Sequence, residues 1–343
     1  MMAKLKARSA KKKKSIKTRK KVSGRGMKVL FLVFGLALLL GLTFVVQNLT
    51  EAMNAAKSIQ VAVDMEMGTP GDGPGQFKEP QDVATDSQGN FYVSDFSGHR
   101  VQKFDSRGTP LASIGKEGKD DGDFEQPSGL FVDAQGNIYV CDTFNHRIQK
   151  FDAQGNFIKS WSRSFFGPRS IVVTNQNRVY VSDTGNHKIQ VFDTDGNFIQ
   201  EWGGFGTQDG KFREPVGITA DPQGNIYVAD SDNLRIQKFD SNGKFIASFK
   251  ISTWKGKNDE VPYLAFGQGF LYASNSSQNT VMKLDPNGKL IAVCRKNNRE
   301  SKKDGEGFSR AAGVAIDSQD HIYVVEKGNG KIARFTVPLA PAN

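Results

Sequence analysis

Cysteine is scarce in this chain of 343 residues, which contains only Cys141 and Cys294. The two residues form no Cys-x-x-C pair, so the sequence does not indicate a zinc ribbon or a thioredoxin-like redox site. Histidine is also rare, with four residues in the whole chain. Nothing in this composition indicates a bound cofactor, and none is predicted.

Acidic residues are absent from the first 28 residues, which hold 13 of the 46 lysines and arginines. The rest of the chain has 33 basic and 36 acidic residues, so the net charge of +10 comes from this N-terminal stretch. Phosphate binding by a folded body needs a clustered basic surface. Because the body is slightly acidic, no nucleic acid partner is expected for it.

Long apolar runs are missing as well, with one exception at residues 29–46, VLFLVFGLALLLGLTFVV. A helix of this length spans about 27 Å, close to the roughly 30 Å of a bilayer core. We therefore predict a basic cytoplasmic tail at 1–28, a transmembrane signal-anchor helix at 29–46 and a stalk at 47–58. The remainder would lie outside the cytoplasmic membrane, in the periplasm or at the cell exterior.

Two questions about this N-terminal region stay open at the level of sequence. A cleaved signal peptide is the alternative to a retained anchor, although signal peptides have shorter apolar regions of about 7–15 residues. The basic tail would either contact anionic lipid headgroups of the bilayer or only set the topology.

A repeated unit fills the rest of the chain. Four copies are close to one another: FYVSDFSGHRVQKFD (91–105), IYVCDTFNHRIQKFD (138–152), VYVSDTGNHKIQVFD (179–193) and IYVADSDNLRIQKFD (226–240). Two more divergent copies follow: LYASNSSQNTVMKLD (271–285) and IYVVEKGNGKIARF (322–335). Alternating β-branched and aromatic residues between turn residues predict strands. The spacing of 41 to 51 residues between copies is typical of a four-stranded propeller blade.

These units resemble the repeats of the NHL-repeat family, and six copies cover about residues 59–336. The resemblance implies an all-β fold, a six-bladed β-propeller with four antiparallel strands per blade, at residues 59–337, followed by a C-terminal tail at 338–343. The last copy has only three strands, and IQVAVDMEMG (59–68) precedes the first copy as an orphan strand. We predict that this strand completes the sixth blade, so that the ring closes without an exposed edge.

The propeller would separate the two cysteines. It places Cys141 in the second blade and Cys294 in the outer strand of the fifth, on opposite sides of the ring. A disulfide needs Cα atoms within about 7 Å of each other. We therefore predict no internal disulfide and a small buried residue at Cys141.

Residues that recur in the close copies are predicted to build the fold. An aspartate ends the second strand and would accept hydrogen bonds from backbone N–H groups in the turn that follows: Asp95, Asp142, Asp183 and Asp230. A histidine comes shortly after it in three copies: His99, His146 and His187. Because Leu234 takes this place in the fourth copy, we interpret it as a packing position, with metal or proton chemistry as the alternative. The stretch DTDGN (193–197) lacks the later ligands of a calcium loop, so no metal is predicted there.

Function is expected where the copies differ. The residue after the loop proline enters the innermost strand near the central mouth, and no two blades have the same residue at this position: Gln81, Ser128, Arg169, Val216, Tyr263 and Ala312. We predict that Gln81, Ser128, Arg169 and Tyr263 contact a ligand, together with Trp254, which is expected to be exposed. The alternative is that these positions vary without a functional reason.

The first functional hypothesis is a membrane-anchored extracytoplasmic interaction module, a scaffold or sensor that binds a protein or peptide ligand on its loop face. The second is an enzyme: some NHL-like proteins resemble peptidyl-hydroxyglycine amidating lyases, which implies a metal held by histidines in the central channel. RNA binding, which the resemblance also suggests, is disfavoured by the acidic body and the predicted export.

Overall fold

The computed structural model describes residues 57–256, 261–297 and 307–337. The predicted basic tail, signal-anchor helix and C-terminal tail lie outside the described residues, as do residues 47–56 of the predicted stalk. Within the described ranges, no helix is both long and apolar enough to cross a membrane.

The described residues form six sheets of antiparallel strands, arranged as the blades of a propeller. The strands of each blade are given from the innermost outward. Blade one contains Pro80–Thr85, Phe91–Asp95, Arg100–Phe104 and Pro110–Ile114, and blade two contains Pro127–Val132, Ile138–Asp142, Arg147–Phe151 and Phe157–Trp161. Blade three contains Pro168–Val173, Arg178–Asp183, Lys188–Asp193 and Phe198–Gly203, and blade four contains Pro215–Ala220, Ile226–Asp230, Arg235–Phe239 and Phe245–Lys250. Blade five contains Leu264–Gly267, Phe270–Asn275, Thr280–Leu284 and Leu290–Lys296, and the first three strands of blade six are Ala311–Ile316, Ile322–Glu326 and Lys331–Phe335. Short 3-10 turns lie at Phe96–Gly98, Thr184–Asn186 and Ser231–Asn233, and Thr69–Pro70 pairs with Gln76–Phe77.

The core lies between neighbouring blades rather than in one central mass. Six clusters of buried apolar residues join the blades pairwise around the ring. The tyrosine of the repeat is fully buried in every blade: Tyr92, Tyr139, Tyr180, Tyr227, Tyr272 and Tyr323. The repeated aromatic and β-branched residues therefore serve the contacts between blades, and each blade depends on both of its neighbours.

The N-terminal strand closes the ring, but only part of it does so as predicted. Val63–Met67 pairs antiparallel with Lys331–Phe335 and completes blade six. The preceding Lys57–Val61 instead pairs parallel with Leu290–Lys296 and adds a fifth strand to blade five. The prediction that residues 59–68 belong wholly to the sixth blade was therefore wrong for residues 59–61, because the free edge of blade five also accepts a strand.

An ion-pair cluster joins this closing segment to the last two blades. The Lys296 ammonium of blade five lies 2.6 Å from the Glu66 carboxylate and 3.0 Å from the Glu326 carboxylate of blade six. Hydrogen bonds from Lys296 and Lys331 lower the pKa of Glu66, against the opposing effect of its burial. The N-terminal segment is thus fixed to the ring by side chains as well as by backbone pairing.

Both cysteines are free and buried. Burial raises the pKa of the Cys294 thiol to about 12 and raises that of Cys141 well above its ordinary value. The prediction of a small buried residue at Cys141 is confirmed, and both thiols stay protonated in the folded protein.

Candidate functional site

The blades present two faces, and we call one of them the mouth face. Because each blade is an antiparallel meander, its innermost strand begins on the same face as its turn between the second and third strands. This is the mouth face; the innermost strands end on the opposite face. The residues predicted to bind a ligand lie at the beginning of the innermost strands, or before one in the case of Trp254 and Tyr263.

The repeated aspartates hold the loops of the mouth face through hydrogen bonds. In blade two, the Asp142 carboxylate accepts a hydrogen bond from the Glu125 N–H at 2.8 Å and pairs with the Arg147 guanidinium at 2.7 Å. The N–H donor therefore belongs to the loop that leads into the blade, not to the following turn as predicted; that turn contributes the Asn145 side chain. Equivalent loop N–H groups bind the other aspartates: Lys78 to Asp95, Phe166 to Asp183 and Arg213 to Asp230.

The repeated histidines connect neighbouring blades. His99, His146 and His187 adopt left-handed backbone conformations, with φ of 52°, 53° and 56°, as does Leu234. The Nδ1 atom of His99 accepts a hydrogen bond from the Gln126 N–H of the next blade at 3.3 Å, and His146 does the same with Gly167. Within the described residues, no group of three or more His, Cys, Asp or Glu side chains is placed to hold a metal ion.

The predicted mouth residues close the channel rather than line an opening. Gln81, Ser128 and Tyr263 are buried, and only Arg169 of the ring residues predicted to bind is partly exposed. Trp254 is 2% exposed, and its indole N–H donates to the Ser274 carbonyl at 3.2 Å. The predicted exposure of Trp254 was wrong because the loop turns this side chain into the core between blades four and five.

Just below the mouth, the innermost strands alternate between small and larger residues. Asp82, Ser170 and Leu264 occupy equivalent positions in blades one, three and five, each two residues after a proline, and glycine occupies this repeat position in the other three blades. A Cβ atom on Gly129 would lie 2.4 Å from the Arg169 carbonyl oxygen, and one on Gly217 would lie 2.5 Å from that of Pro262. The glycines therefore allow the inner strands to approach, and the three larger side chains take the space at this level.

Asp82 is the ionisable side chain at this level. Its carboxylate accepts hydrogen bonds from the Val83 N–H at 2.9 Å and the Leu130 N–H at 3.3 Å. Burial raises the pKa of this carboxyl to about 8, and these two bonds only partly offset the effect. The neutral hydroxyl of Ser170 accepts a hydrogen bond from the Ile218 N–H in the same way, at 3.4 Å. Asp82 is therefore largely protonated at neutral pH.

A cavity of about 230 Å³ lies on the axis below Asp82. The innermost strands of all six blades line it, and its accessible surface is more polar than apolar, because Leu130, Ile171 and Ile218 lie mostly within the clusters between blades. Residues at its far end, including Thr85 and Ile316, are half-buried, whereas the mouth end is buried. The cavity therefore opens towards the face opposite the mouth.

The mouth face carries a row of four phenylalanines across blades one to four, which we call the aromatic arc: the half-buried Phe96 and the exposed Phe144, Phe166 and Phe205. The last three are 53%, 61% and 68% exposed. Phe96 and Phe144 contact edge to face with ring centroids 6.1 Å apart. Phe166 stacks on His146 at 5.8 Å and Phe205 packs on His187 at 5.1 Å, so two of the repeated histidines form the base of the arc.

Sequence reasoning missed the aromatic arc, although the copies contain its signal. Phe166 stands where Lys78, Glu125 and Arg213 stand in other blades, and Phe144 stands where Ser97 and Gly185 do. An apolar residue at a position that is charged or small elsewhere in the ring marks a surface that is not required by the fold.

Comparisons with known proteins agree with this architecture. The sequence pattern described as NHL repeat matches residues 77–104, 124–151, 165–192, 212–239 and 308–335. The divergent sixth copy is thus matched, and the fifth is not among those matched. No curated protein is similar enough in sequence to be matched.

Among solved structures, the chain is similar to a streptogramin B lyase, with 13% identity, a TM-score of 0.54 and coverage of 76% of this chain and 94% of that one. It is similar to virginiamycin B lyase from Staphylococcus aureus, with 15% identity, a TM-score of 0.55 and coverage of 80% and 99%. A structure of a nidogen/laminin complex matches with 17% identity, a TM-score of 0.50 and coverage of 63% and 84%. At these identities the likeness concerns the fold. The chain therefore contains NHL repeats, and its described residues fold into a six-bladed β-propeller.

Proposed function

We propose that this chain is a membrane-anchored extracytoplasmic interaction module whose mouth face binds a protein or peptide partner. The observation that carries the proposal is the aromatic arc. Contiguous apolar patches on the surface of a soluble domain often mark interaction sites. Aromatic side chains are also enriched among the residues that dominate binding energy.

The energetics favour a role in binding. Complete burial of an exposed phenylalanine side chain contributes about 1.5–3 kcal/mol, so the three most exposed members of the arc could together support a specific complex. Keeping them in water has no benefit for the folding of the blades, which already bury their repeated aromatic residues between them.

The arc is also held in place before any partner binds. Phe166 rests on His146, and Phe205 lies between His187 and the Arg213 guanidinium, which is 5.8 Å from its ring centroid. Side chains that are already ordered lose less conformational entropy when they bind. Arg169, the partly exposed residue of the predicted mouth, would add a charge beside the arc, while Gln81, Ser128, Tyr263 and Trp254 would support this surface from within.

The membrane part of the proposal rests on residues 29–46, with 18 uncharged and mostly apolar residues after a strongly basic segment. This order predicts a cytoplasmic N-terminus and an exported propeller. Protease added to intact cells or spheroplasts would test the location. We expect loss of the propeller without lysis, and complete protection until the membrane is opened would contradict export.

Binding at the arc is tested by a photoreactive amino acid placed at Phe205 in cells. The matched control is the same substitution at Phe198, which is 38% exposed, lies on the outer strand of blade three and has the Arg163 guanidinium 3.6 Å from its ring centroid. We expect a defined cross-linked species from position 205 that is absent from position 198. The same species from both positions would show that the contact is not made by the arc.

A further inference from the structure

The axial cavity is a feature that partner binding at the mouth face does not use. Its volume of about 230 Å³ exceeds the roughly 150 Å³ of an engineered apolar cavity that binds benzene. A small molecule with one ring or a short alkyl chain therefore fits inside it. Access is from the opposite face, where the wall residues are half-buried.

The cavity has one ionisable end. Its wall exposes more polar than apolar surface, and Leu130, Ile171 and Ile218 expose only a small part of their side chains. Of the described residues that line it, Asp82 is the one with an ionisable side chain, and it lies at the inner, closed end. A carboxyl at the closed end of this cavity offers a single charged anchoring point for a ligand.

Asp82 is not required merely to bind the neighbouring strand. Ser170 occupies the equivalent position in blade three and accepts the N–H of Ile218, as Asp82 accepts that of Leu130. A neutral hydroxyl thus performs the same structural task. The carboxyl at position 82 adds the ability to become charged, at the expense of burying that charge.

The titratable groups around Asp82 do not compete with it. Tyr263 and Cys141 both interact electrostatically with this carboxyl. Burial raises the pKa of Tyr263 and that of Cys141 above their ordinary values, so both are neutral at physiological pH. The charge of Arg169, on the mouth side, partly offsets the rise in the pKa of Tyr263. Asp82 is therefore the group that changes charge here near neutral pH.

We propose that the cavity binds a small organic cation, with its ammonium group at Asp82 and its body in the space between the innermost strands. A bare metal ion such as calcium is less suited, because it needs about six to eight oxygen ligands and Asp82 is the one carboxylate among the described residues that line the cavity. The site is separate from the aromatic arc, because the cavity opens on the face opposite the mouth and the arc lies on the mouth face.

Benzylamine is the probe, and benzyl alcohol is its neutral counterpart of the same shape. Titration calorimetry on the full-length protein in detergent should show saturable binding of benzylamine and at least tenfold weaker binding of benzyl alcohol. Raising the pH from 6 to 8 should increase the affinity for benzylamine by about fifty-fold, because only ionised Asp82 is competent. At pH 6 the heat should depend on the buffer, since binding the cation releases the Asp82 proton.

Two variants separate the carboxyl from its surroundings. Asp82→Asn should weaken benzylamine binding at least tenfold and abolish its pH dependence, whereas Ser170→Ala should leave the affinity within twofold. Equal binding of amine and alcohol, or unchanged binding by Asp82→Asn, would overturn the proposal. If the Asp82→Asn protein does not fold, the test is the release of a proton when the wild-type protein binds benzylamine at pH 6. Binding without proton release at this pH would refute the site.

Discussion

Two aspartates at the same repeat position allow the contribution of a buried ion pair to be measured within one protein. Asp142 and Asp183 are both fully buried, and each accepts one loop N–H at 2.8 Å and side-chain amides from the following turn and strand. They differ in one partner. Asp142 pairs with Arg147 at 2.7 Å, whereas Lys188 of blade three is directed to Glu201 at 3.0 Å.

The expected magnitudes follow from this difference. Asp183→Asn weakens hydrogen bonds to a charged group and should cost about 1.5–3 kcal/mol of unfolding free energy. Asp142→Asn also breaks a buried ion pair, for which about 3–5 kcal/mol is expected. Arg147 keeps bonds to the Asp120 and Asp123 carbonyls, so the lower part of that range applies. The difference of about 1 kcal/mol corresponds to a melting temperature about 2–4 °C lower for Asp142→Asn than for Asp183→Asn.

Thermal unfolding followed by tryptophan fluorescence is a suitable assay. All three tryptophans of the chain, Trp161, Trp202 and Trp254, lie in the propeller, so the signal reports this domain alone. Arg147→Lys should destabilise the wild-type protein and have a smaller effect beside Asp142→Asn. Equal melting temperatures for Asp142→Asn and Asp183→Asn would show that the ion pair does not stabilise blade two and would refute this reasoning.

Three further predictions concern the core and the channel. The folded-state pKa of Asp82 is raised to about 8, so the favourable contribution of its neutral form to the free energy of unfolding is complete below its ordinary pKa and is lost as pH rises through 8. The unfolding free energy of the wild-type protein should therefore fall by about 1.4 kcal/mol per pH unit relative to Asp82→Asn between pH 5 and 8. Parallel curves of unfolding free energy against pH for the two proteins would contradict this. Val61→Asp, which buries an unpaired charge between blades five and six, should lower unfolding free energy by about 3 kcal/mol or more, while Gln60→Asp on the exposed side of the same strand should change it by less than about 0.5 kcal/mol. A maleimide reagent at pH 8 should label neither Cys141 nor Cys294 until the protein unfolds, because both thiols are buried and protonated; mass spectrometry showing rapid labelling of the native protein would refute their burial.

The repeats predict the blades well because each strand of a blade has a constant pattern of buried residues. The role of Asp142 as a buried acceptor is visible in the sequence, since an aspartate at the end of an apolar strand needs donors. Which donors it finds is not visible, because the N–H of Glu125 comes from a loop that approaches only after the meander has folded.

Features that occur once are harder to predict. Residues 57–61 have the alternation of a strand, but nothing in a five-residue strand selects the parallel edge of blade five over the antiparallel edge of blade six. Trp254 stands in a loop with no counterpart in other copies, so its burial depends on how that loop folds back. The alternation of Asp82, Ser170 and Leu264 with three glycines is present in the sequence, but its meaning requires the ring, because each glycine faces the backbone of the next blade.

The central claim is that the aromatic arc binds a partner outside the membrane, and the most direct test is an affinity measurement with the partner identified by cross-linking at position 205. Phe166→Ala and Phe205→Ala should each weaken binding of that purified partner by about tenfold or more, as expected for the loss of 1.5–3 kcal/mol of burial. Phe198→Ala, which removes a phenylalanine of similar setting from an outer strand, should leave the affinity unchanged. If all three variants bind like the wild-type protein, the arc is not the interaction surface and the account is wrong.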